Sequence, residues 1–405
     1  MVFHLHCFHR HTLPNRYAAG IQMLHTGAAF ARLGHRFTLH VTGFSQSRQA
    51  ILQHYGLTPD SHINFLQIPR KGRDLLASTE LIKAISQSPI TNDLQVLMPR
   101  GDAGIYVLPM LELIRNANPE NRPMLVYEMH NLQSLRIAEE SAGRSLQHEE
   151  ILDPKALKLH KKEGRLIALA DGVAGLTREV VKEAESTYGP LPPHVILHSG
   201  TEIPEDGKQY GLPEYDVVYA GKLEERKGVY DLVRAMSYLE GKTLAVAGGP
   251  DHAAESIRQL VAQLGLGSRI SIKGLLPPAS VPGFLAKGRV GVCPLKCGVD
   301  SVSDRFSSPM KLLQMMAMGM PIVAADTKPV RELVTHAQEA HLVIPNSPAA
   351  LAEGIGHLLS HTEYCKHLSS KAQRRAQRYS WNQRAKSLEA FFKVLAGLRS
   401  DTDAR

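Results

Sequence analysis

Short apolar runs alternate with longer amphipathic stretches along most of the chain, the pattern of strands and helices wound in βα units. In the first half this pattern predicts strands over residues 2–7, 37–41, 63–68, 94–98, 124–128, 172–176 and 195–197. Helices are expected over 18–33, closed by Gly34, and over 75–86, 103–115, 156–169 and 178–188. The second half repeats the alternation. A strand from Asp216 leads through a charged turn into a helix with Val229, Leu232, Val233, Met236 and Leu239 on one face. Further strands fall at 244–247, 270–273 and 290–294, and closing helices at 349–360, 364–378 and 381–395. Residues 401–405 read as a frayed tail. The proline-bearing stretch 190–215 is the expected linker, so the fold class is α/β with two domains. A chain of 405 residues, 43% of them hydrophobic, can give each domain a sizeable core.

The stretch Ser307–Asp326, SSPMKLLQMMAMGMPIVAAD, carries the first chemical signal. Ser308 is placed to cap a helix and Pro309 to take its first position, while Met310, Leu313 and Ala317 repeat at helical spacing. Gly319 ends the helix, and 321–325 reads as a buried parallel strand. Lys311 is out of place. A cation in the first turn opposes the helix dipole by about 0.3–1 kcal/mol. An anion held at that end reverses the sign, because lysine and free N–H groups then act together. The plain alternative is a lysine on a solvated face. The stretch after Asp216 repeats the signal: Lys222 ends the strand, and Lys227 with Gly228 stands where the next helix begins. A glycine there lets a ligand approach the backbone. Lysines at strand ends beside two helix starts suit a diphosphate.

Taken in order, these pieces resemble a known family. Gly221-Lys222-Leu223 with Lys227-Gly228, then Val246-Ala247-Gly248-Gly249-Pro250, then Ser308-Pro309, Lys311-Leu312, Gln314, Met316-Ala317, Gly319 and Pro321-Ile322-Val323-Ala324 look like the donor domain of family 4 retaining glycosyltransferases. That family has the GT-B fold, two Rossmann-like domains facing a cleft. The resemblance implies an acceptor-side domain over 1–200, with a helix over 380–398 packing back on it, and a donor domain over 201–379. It implies a hexose moved with retention from a nucleoside-diphosphate sugar, a UDP-sugar being the expected donor, with no other cofactor and no metal. Lys222 and Lys227 would stabilise the leaving diphosphate. Gly221, Gly228, Ser307, Ser308, Pro309, Lys311 and Gln314 would contact the donor.

Other residues extend the resemblance. The loop from Pro14 to Gln22 is similar to the family's glycine-rich loop facing the donor phosphates, with Gly20 kept and Ala19 in place of the other glycine. His130, after Tyr127-Glu128-Met129, resembles the family histidine near the donor sugar, with Glu128 as its orienter. His198-Ser199-Gly200 resembles a His-Asn-Gly turn with serine replacing asparagine. The family's two glutamates fall, by register, at Phe306 and Gln314. A glutamine offers a ribose diol one acceptor oxygen, and Phe306 offers a sugar none. Asp304 or the backbone N–H groups of Ser307 and Ser308 are the expected substitutes.

Composition bounds the rest. His4, His6, His9 and His11 with Cys7 suggest zinc, but His4 and His6 share one strand face while Cys7 points to the other, which favours core and loop histidines. Donor-side contacts from His9 or Arg10 stay open. Cys7, Cys293, Cys297 and Cys365 form no disulfide framework, which suits a reducing cytoplasm. No leader-like run or membrane-length apolar segment is read. The net charge of +8 and the basic positions Lys155, Lys158, Lys161, Lys162 and Arg165 are compatible with a solvated face, or with peripheral contact with an anionic membrane or acceptor. No aromatic interleaving points to nucleic acid. The expected partners are the nucleotide-sugar donor and an acceptor of unread identity: a glycan, a lipid-linked sugar or a small molecule. Two other readings stay open, a nucleotide-sugar-binding scaffold without turnover and another enzyme of the same fold, such as an epimerase or phosphorylase.

Overall fold

The computed structural model describes residues 1–15, 17–69, 93–117, 122–205 and 212–403. The helix expected over 75–86 lies outside them. The chain divides into two compact units, Met1–His198 with Trp381–Arg405, and Ser199–Ser380.

The first unit is built on seven parallel strands: β1 (Phe3–His9), β2 (Arg36–Val41), β3 (Ile63–Gln67), β4 (Leu94–Met98), β5 (Met124–Met129), β6 (Gly172–Gly175) and β7 (His194–Ile196). Their order is β3-β2-β1-β4-β5-β6-β7. The chain winds outward from β1 on one side and from β4 on the other, so the carboxyl ends of β1 and β4 flank the switch point where ligands bind in such sheets. Six of the seven β1 residues are buried, as a strand covered on both faces requires. Histidines inside this sheet pair with sheet neighbours: His4 Nε2 lies 2.8 Å from Thr38 Oγ1, His6 Nδ1 3.0 Å from His40 Nε2 and His6 Nε2 2.9 Å from Gln95 Oε1. Among the described residues no cluster of three or more His, Cys, Asp or Glu is gathered as a metal would need.

In the first unit the helices Arg48–His54 and Gln133–Ala142 were not legible in the apolar pattern, nor was Asp251–Gln263 in the second. The first is short and depends on Ser47, whose side chain accepts from the Ala50 N–H. The last helix, Trp381–Asp403, belongs to the first unit and runs past the expected frayed end at 401. Gly172 makes room for it: a Cβ there would stand 2.8 Å from both Phe391 and Leu395. Phe392 meets Phe3 edge-on at 5.6 Å.

The second unit carries six parallel strands: β8 (Tyr215–Ala220), β9 (Leu244–Ala247), β10 (Ile270–Ile272), β11 (Gly288–Cys293), β12 (Ile322–Ala325) and β13 (His341–Val343), in the order β10-β9-β8-β11-β12-β13. Its switch point lies between β8 and β11. Val229, Leu232, Val233, Met236 and Leu239 all enter the core as the periodicity predicts. Their helix is shorter than expected, Val229–Ala235, and tightens into a 3₁₀ turn at Met236–Tyr238. No helix among the described residues is long and apolar enough to cross a membrane.

Candidate functional site

The carboxyl end of β8 delivers Gly221 and Lys222, and the turn behind them delivers Glu224, Arg226 and Lys227. Lys311 comes from the helix Met310–Ala317, which precedes β12. Its Nζ lies 3.9 Å from the centre of the Tyr219 ring, and a Cβ on Gly221 would stand 3.2 Å from it. Gly221 is therefore small because a lysine amine lies over it. That amine is buried without a hydrogen-bond acceptor. The Lys227 side chain makes no hydrogen bond or ion pair among the described residues, while its backbone N–H donates to Glu224 O at 2.9 Å. Burial, then Arg226 and Lys311, pull its ammonium down to about 7. Burial pulls Lys311 down to about 8, Arg226 adding to it. The carboxylates nearby are already engaged. Glu224 binds Lys222 at 3.0 Å and Arg226 at 2.7 Å, and Asp300 lies 3.4 Å from Arg226. The Lys311 ammonium is thus buried without an acceptor and depresses Lys227 by repulsion, a costly arrangement unless an anion is supplied.

Several local expectations need correction. Ser308 does not cap the lysine helix. Its hydroxyl accepts from the Ser199 N–H at 3.0 Å, Pro309 takes the cap position, and the helix opens at Met310. Proline at the cap brings no N–H and leaves the first turn open. Gly228 is required by its own backbone. Its φ of +72° ends the 3₁₀ turn Glu225–Lys227, and a Cβ there would fall 1.6 Å from the Pro294 carbonyl oxygen. The Ser307 N–H is spent on Val302 O at 2.8 Å, although the Ser307 hydroxyl is buried without a partner. Asp304 Oδ1 accepts from the Gly298 N–H at 2.8 Å, and Phe306 is fully buried. Gln314 sits half-buried on the lysine helix, one turn beyond Lys311. As expected, Lys227 and Gly228 stand at the start of a helix, Val229–Ala235, with Gly228 at its cap. Side-chain ammonium groups, rather than backbone N–H groups, make the charge.

In the first unit His130 follows β5. Its Nδ1 lies 3.0 Å from Arg100 Nη2 and its Nε2 3.1 Å from Glu128 Oε1. The same Glu128 oxygen accepts from Gln22 Nε2 at 2.9 Å and from Arg384 Nη2. Burial, then Arg100, push His130 down to about 4 against the pull of Glu128. Burial alone would raise the Glu128 carboxyl, but His130, Arg384 and Arg100 hold it well below the usual carboxylate range. Arg384 also donates from Nε to Thr26 at 3.1 Å, and from Nη1 to Leu197 O at 2.6 Å and to His198 O. Gly20 lies in the first turn of the helix Ala18–Arg32, and its neighbour is Tyr55, whose hydroxyl would stand 3.0 Å from a Cβ there. His9 is held by Asn15 at 2.8 Å, and Arg10 pairs with Asp102 at 3.3 Å.

Arg100 and Arg384 were missed by sequence reasoning. Arg384 had a signal: it sits on the apolar stripe of its helix beside Ala385 and Leu388, where a charge needs a buried partner. Arg100 had none beyond its place at a strand end.

Comparison with known proteins bears on both units. Residues 214–361 match the family model described as glycosyl transferases group 1. A D-inositol 3-phosphate glycosyltransferase of Xylanimonas cellulosilytica is 24% identical over 285 residues, covering 65% of this chain and 64% of that protein. The chain thus spans a little under two thirds of that relative's length. An uncharacterized glycosyltransferase of Methanocaldococcus jannaschii is 25% identical over 182 residues, 44% of each chain. Among solved structures, sucrose-phosphate synthase from Thermosynechococcus elongatus superposes with a TM-score of 0.73 at 16% identity, covering 98% of this chain and 100% of that one. HepE of Anabaena in complex with UDP gives 0.70 at 14% identity, covering 97% and 100%. The chain has the GT-B fold, and the match to the group 1 glycosyltransferase model lies within its second unit.

Proposed function

We propose that the protein is a retaining glycosyltransferase that moves a hexose from a nucleoside-diphosphate sugar, with a UDP-sugar as donor, to an acceptor hydroxyl. The observation that carries this reading is the Lys311 ammonium, buried without a hydrogen-bond partner, with the charge of half-buried Lys227 felt beside it. A diphosphate is the anion that a second-unit switch point of this kind is built to hold. The structures of HepE with UDP and with UDP-glucose support the choice of donor. In the transfer, the bond between the anomeric carbon and the diphosphate oxygen breaks and its electron pair leaves with the diphosphate. The acceptor oxygen bonds to the same carbon from the same face, and its proton passes to a diphosphate oxygen. Charge grows on the leaving group, and Lys227 and Lys311, already desolvated, stabilise it without reorganising. The lysines thus do the work for which other enzymes use a divalent cation.

Gln314 is assigned to the ribose, while the acceptor class stays open among glycan, lipid-linked and small-molecule hydroxyls. The test is a thermal-shift panel of UDP, GDP and ADP on the wild type and on Lys311→Met. A nucleotide at ~100 times its dissociation constant adds about 2.7 kcal/mol to the wild type. The variant should lose that gain. No shift with any nucleotide would sink the reading. The burial of Phe306, which leaves no polar group at that position, favours one rival, a scaffold that binds nucleotide without turnover. Incubation with a UDP-hexose and chelator separates the two: release of UDP marks the enzyme, and retention of the intact donor marks the scaffold.

A further inference from the structure

His130 is the residue of the first unit that the resemblance ties to the sugar, yet its Nδ1 is already committed and its Nε2 lies beside a carboxylate. An arginine guanidinium has donors only, so the contact of 3.0 Å between Arg100 Nη2 and His130 Nδ1 requires a lone pair on Nδ1. On the other side, Nε2 stands 3.1 Å from Glu128 Oε1, close enough to feel its charge but not aligned as a hydrogen bond, while that oxygen accepts from Gln22 and Arg384. A carboxylate this close favours an N–H over a lone pair on the ring nitrogen. The two contacts therefore select the same form from opposite sides. The alternative tautomer would set N–H against N–H at Arg100 and lone pair against carboxylate at Glu128. The doubly protonated ring would place a buried imidazolium against a buried guanidinium. Both are disfavoured in a site where charges are poorly screened.

We propose that Arg100 is a positioning residue that holds His130 neutral, with its proton fixed on Nε2. Arg384 and Gln22 complete the device by keeping Glu128 ionised and in place. Each member comes from a different element: Gln22 from the helix after β1, Arg100 from the turn after β4, Glu128 and His130 from β5 and its exit, and Arg384 from the last helix. The remaining titratable groups whose charge is felt here are Cys7 and His9 of β1 and Asp102. Cys7 is neutral because burial raises its thiol, and His9 is neutral because burial pushes its imidazole down to about 3. Asp102 is drawn outward to Arg10.

The consequence rests on the reading of His130 as a residue beside the sugar. A neutral ring whose Nδ1 accepts from Arg100 has no free lone pair with which to take the acceptor's proton. The acceptor proton then has to leave by another route, which is the diphosphate oxygen in the mechanism above. A neutral ring also avoids adding positive charge beside a carbon that becomes positive as the donor bond breaks.

The test is nitrogen NMR of the full chain labelled at histidine, with His130 identified by subtracting the spectrum of His130→Gln from the 20 histidines. In the wild type, Nε2 should appear as the protonated nitrogen and Nδ1 as the bare one, unchanged from pH 8 down to pH 5. A wild-type His130 with its proton on Nδ1, or one that titrates near the ordinary histidine value, overturns the proposal without any variant. Arg100→Met should mix the tautomers and move the protonation of His130 upward by roughly one pH unit or more. Arg100→Lys keeps a cationic donor and should restore the wild-type signature. It also provides a readout if the methionine variant does not fold. Donor turnover followed across pH completes the test. If Arg100→Met changes the spectrum, kcat should fall and the acid limb of its pH profile should move up with little change in KM. If the spectrum changes and turnover does not, Arg100 keeps its role and the placing of His130 beside the sugar falls.

Discussion

Each unit holds two cations wholly or partly buried near the switch point of its sheet, and the two pairs are partnered differently. In the first unit Arg384 is committed to the Glu128 carboxylate and Arg100 to the His130 ring nitrogen. In the second, the Lys311 ammonium is buried without a hydrogen-bond partner, and its charge depresses that of Lys227, whose side chain has no ion pair among the described residues. A buried cation with its partner supplied by the chain is part of the fold. One left without a partner marks where something from outside belongs. Residue choice follows the same division. Arginine, with several fixed donors, ties Glu128, Thr26 and the Leu197 and His198 carbonyls together. Lysine, a point charge whose protonation shifts with burial, suits a site that must gain and lose an anion.

The comparison is broken most directly by removing one cation from each unit. Arg384→Met leaves the Glu128 carboxylate buried without its strongest partner and frees two carbonyls. It should cost on the order of 3–5 kcal/mol of stability, read by urea unfolding. Trp381, the sole tryptophan, lies one helical turn before Arg384 and reports on that unit by its fluorescence. Unchanged stability would show that the network is ornamental. Lys311→Met should act the other way. Deleting an unpaired buried ammonium should leave the fold as stable as wild type or more so, by on the order of 1 kcal/mol after the Tyr219 ring contact is lost. Donor turnover should fall by an amount equivalent to about 2.7–4 kcal/mol, the usual weight of one charge stabiliser in a transition state. A variant that is both unstable and fully active would reverse the assignment.

Acid should separate the units further. His6 is pushed down to about 3 by burial and by His4, and His25, stacked on Trp381 at 5.2 Å, down to about 4 by burial. The folded pKa lies below the unfolded one, so the unfolded chain binds more protons as pH falls. Stability is intact above about 6.5, the ordinary histidine value, and drains as pH drops toward 4 and 3. Each such histidine should cost on the order of 1–2 kcal/mol between pH 6.5 and 5. For Lys227 and Lys311 the window is higher. Their penalty is full at low pH and fades as pH rises above 7 to 8 towards the unfolded lysine value, so nucleotide-free second unit should gain stability there. The fluorescence midpoint of Trp381 should fall on acidification, and a midpoint flat from pH 7 to 5 would contradict the buried-neutral histidines.

How far the sequence carried this picture also divides by unit. The lysine site was legible because its parts lie on short local patterns, Gly221 to Gly228 and Ser308 to Gln314, each readable as strand end or helix start. What those patterns misstate is detail that tertiary contacts settle. Ser308 turns to Ser199 instead of capping its helix, and Gly228 is shaped by the Pro294 carbonyl. The His130 network was barely legible. Its members lie at positions 22, 100, 128, 130 and 384, and only the fold brings them together. His130 and Glu128 were found through resemblance, and their arginines were not. The missed helices at Arg48–His54 and Gln133–Ala142 fail for a related reason, since most of their stability comes from what they pack on.

The smallest expected effect sharpens the second unit from within. Gln314 stands one turn past Lys311 on the same helix, half-buried, with an amide where a carboxylate would meet a ribose diol more fully. Two adjacent ribose hydroxyls can both donate to a carboxylate, whereas an amide gives one oxygen and an N–H pair the ribose does not need. Charge-assisted hydrogen bonds are about twice as strong as neutral ones, so Gln314→Glu should tighten nucleotide binding by on the order of 1 kcal/mol. Burying the new carboxylate works against the gain. Lys311, three residues away on the helix face, offsets part of that cost, and the variant would also lend this unit the counter-charge it lacks. The unliganded fold should then become slightly more stable as well. Titration calorimetry with UDP, together with unfolding of the free protein, measures both halves. Weaker UDP binding by the variant would mean that Gln314 is fitted to something other than a ribose diol, and the alignment of this helix with the nucleotide would be wrong.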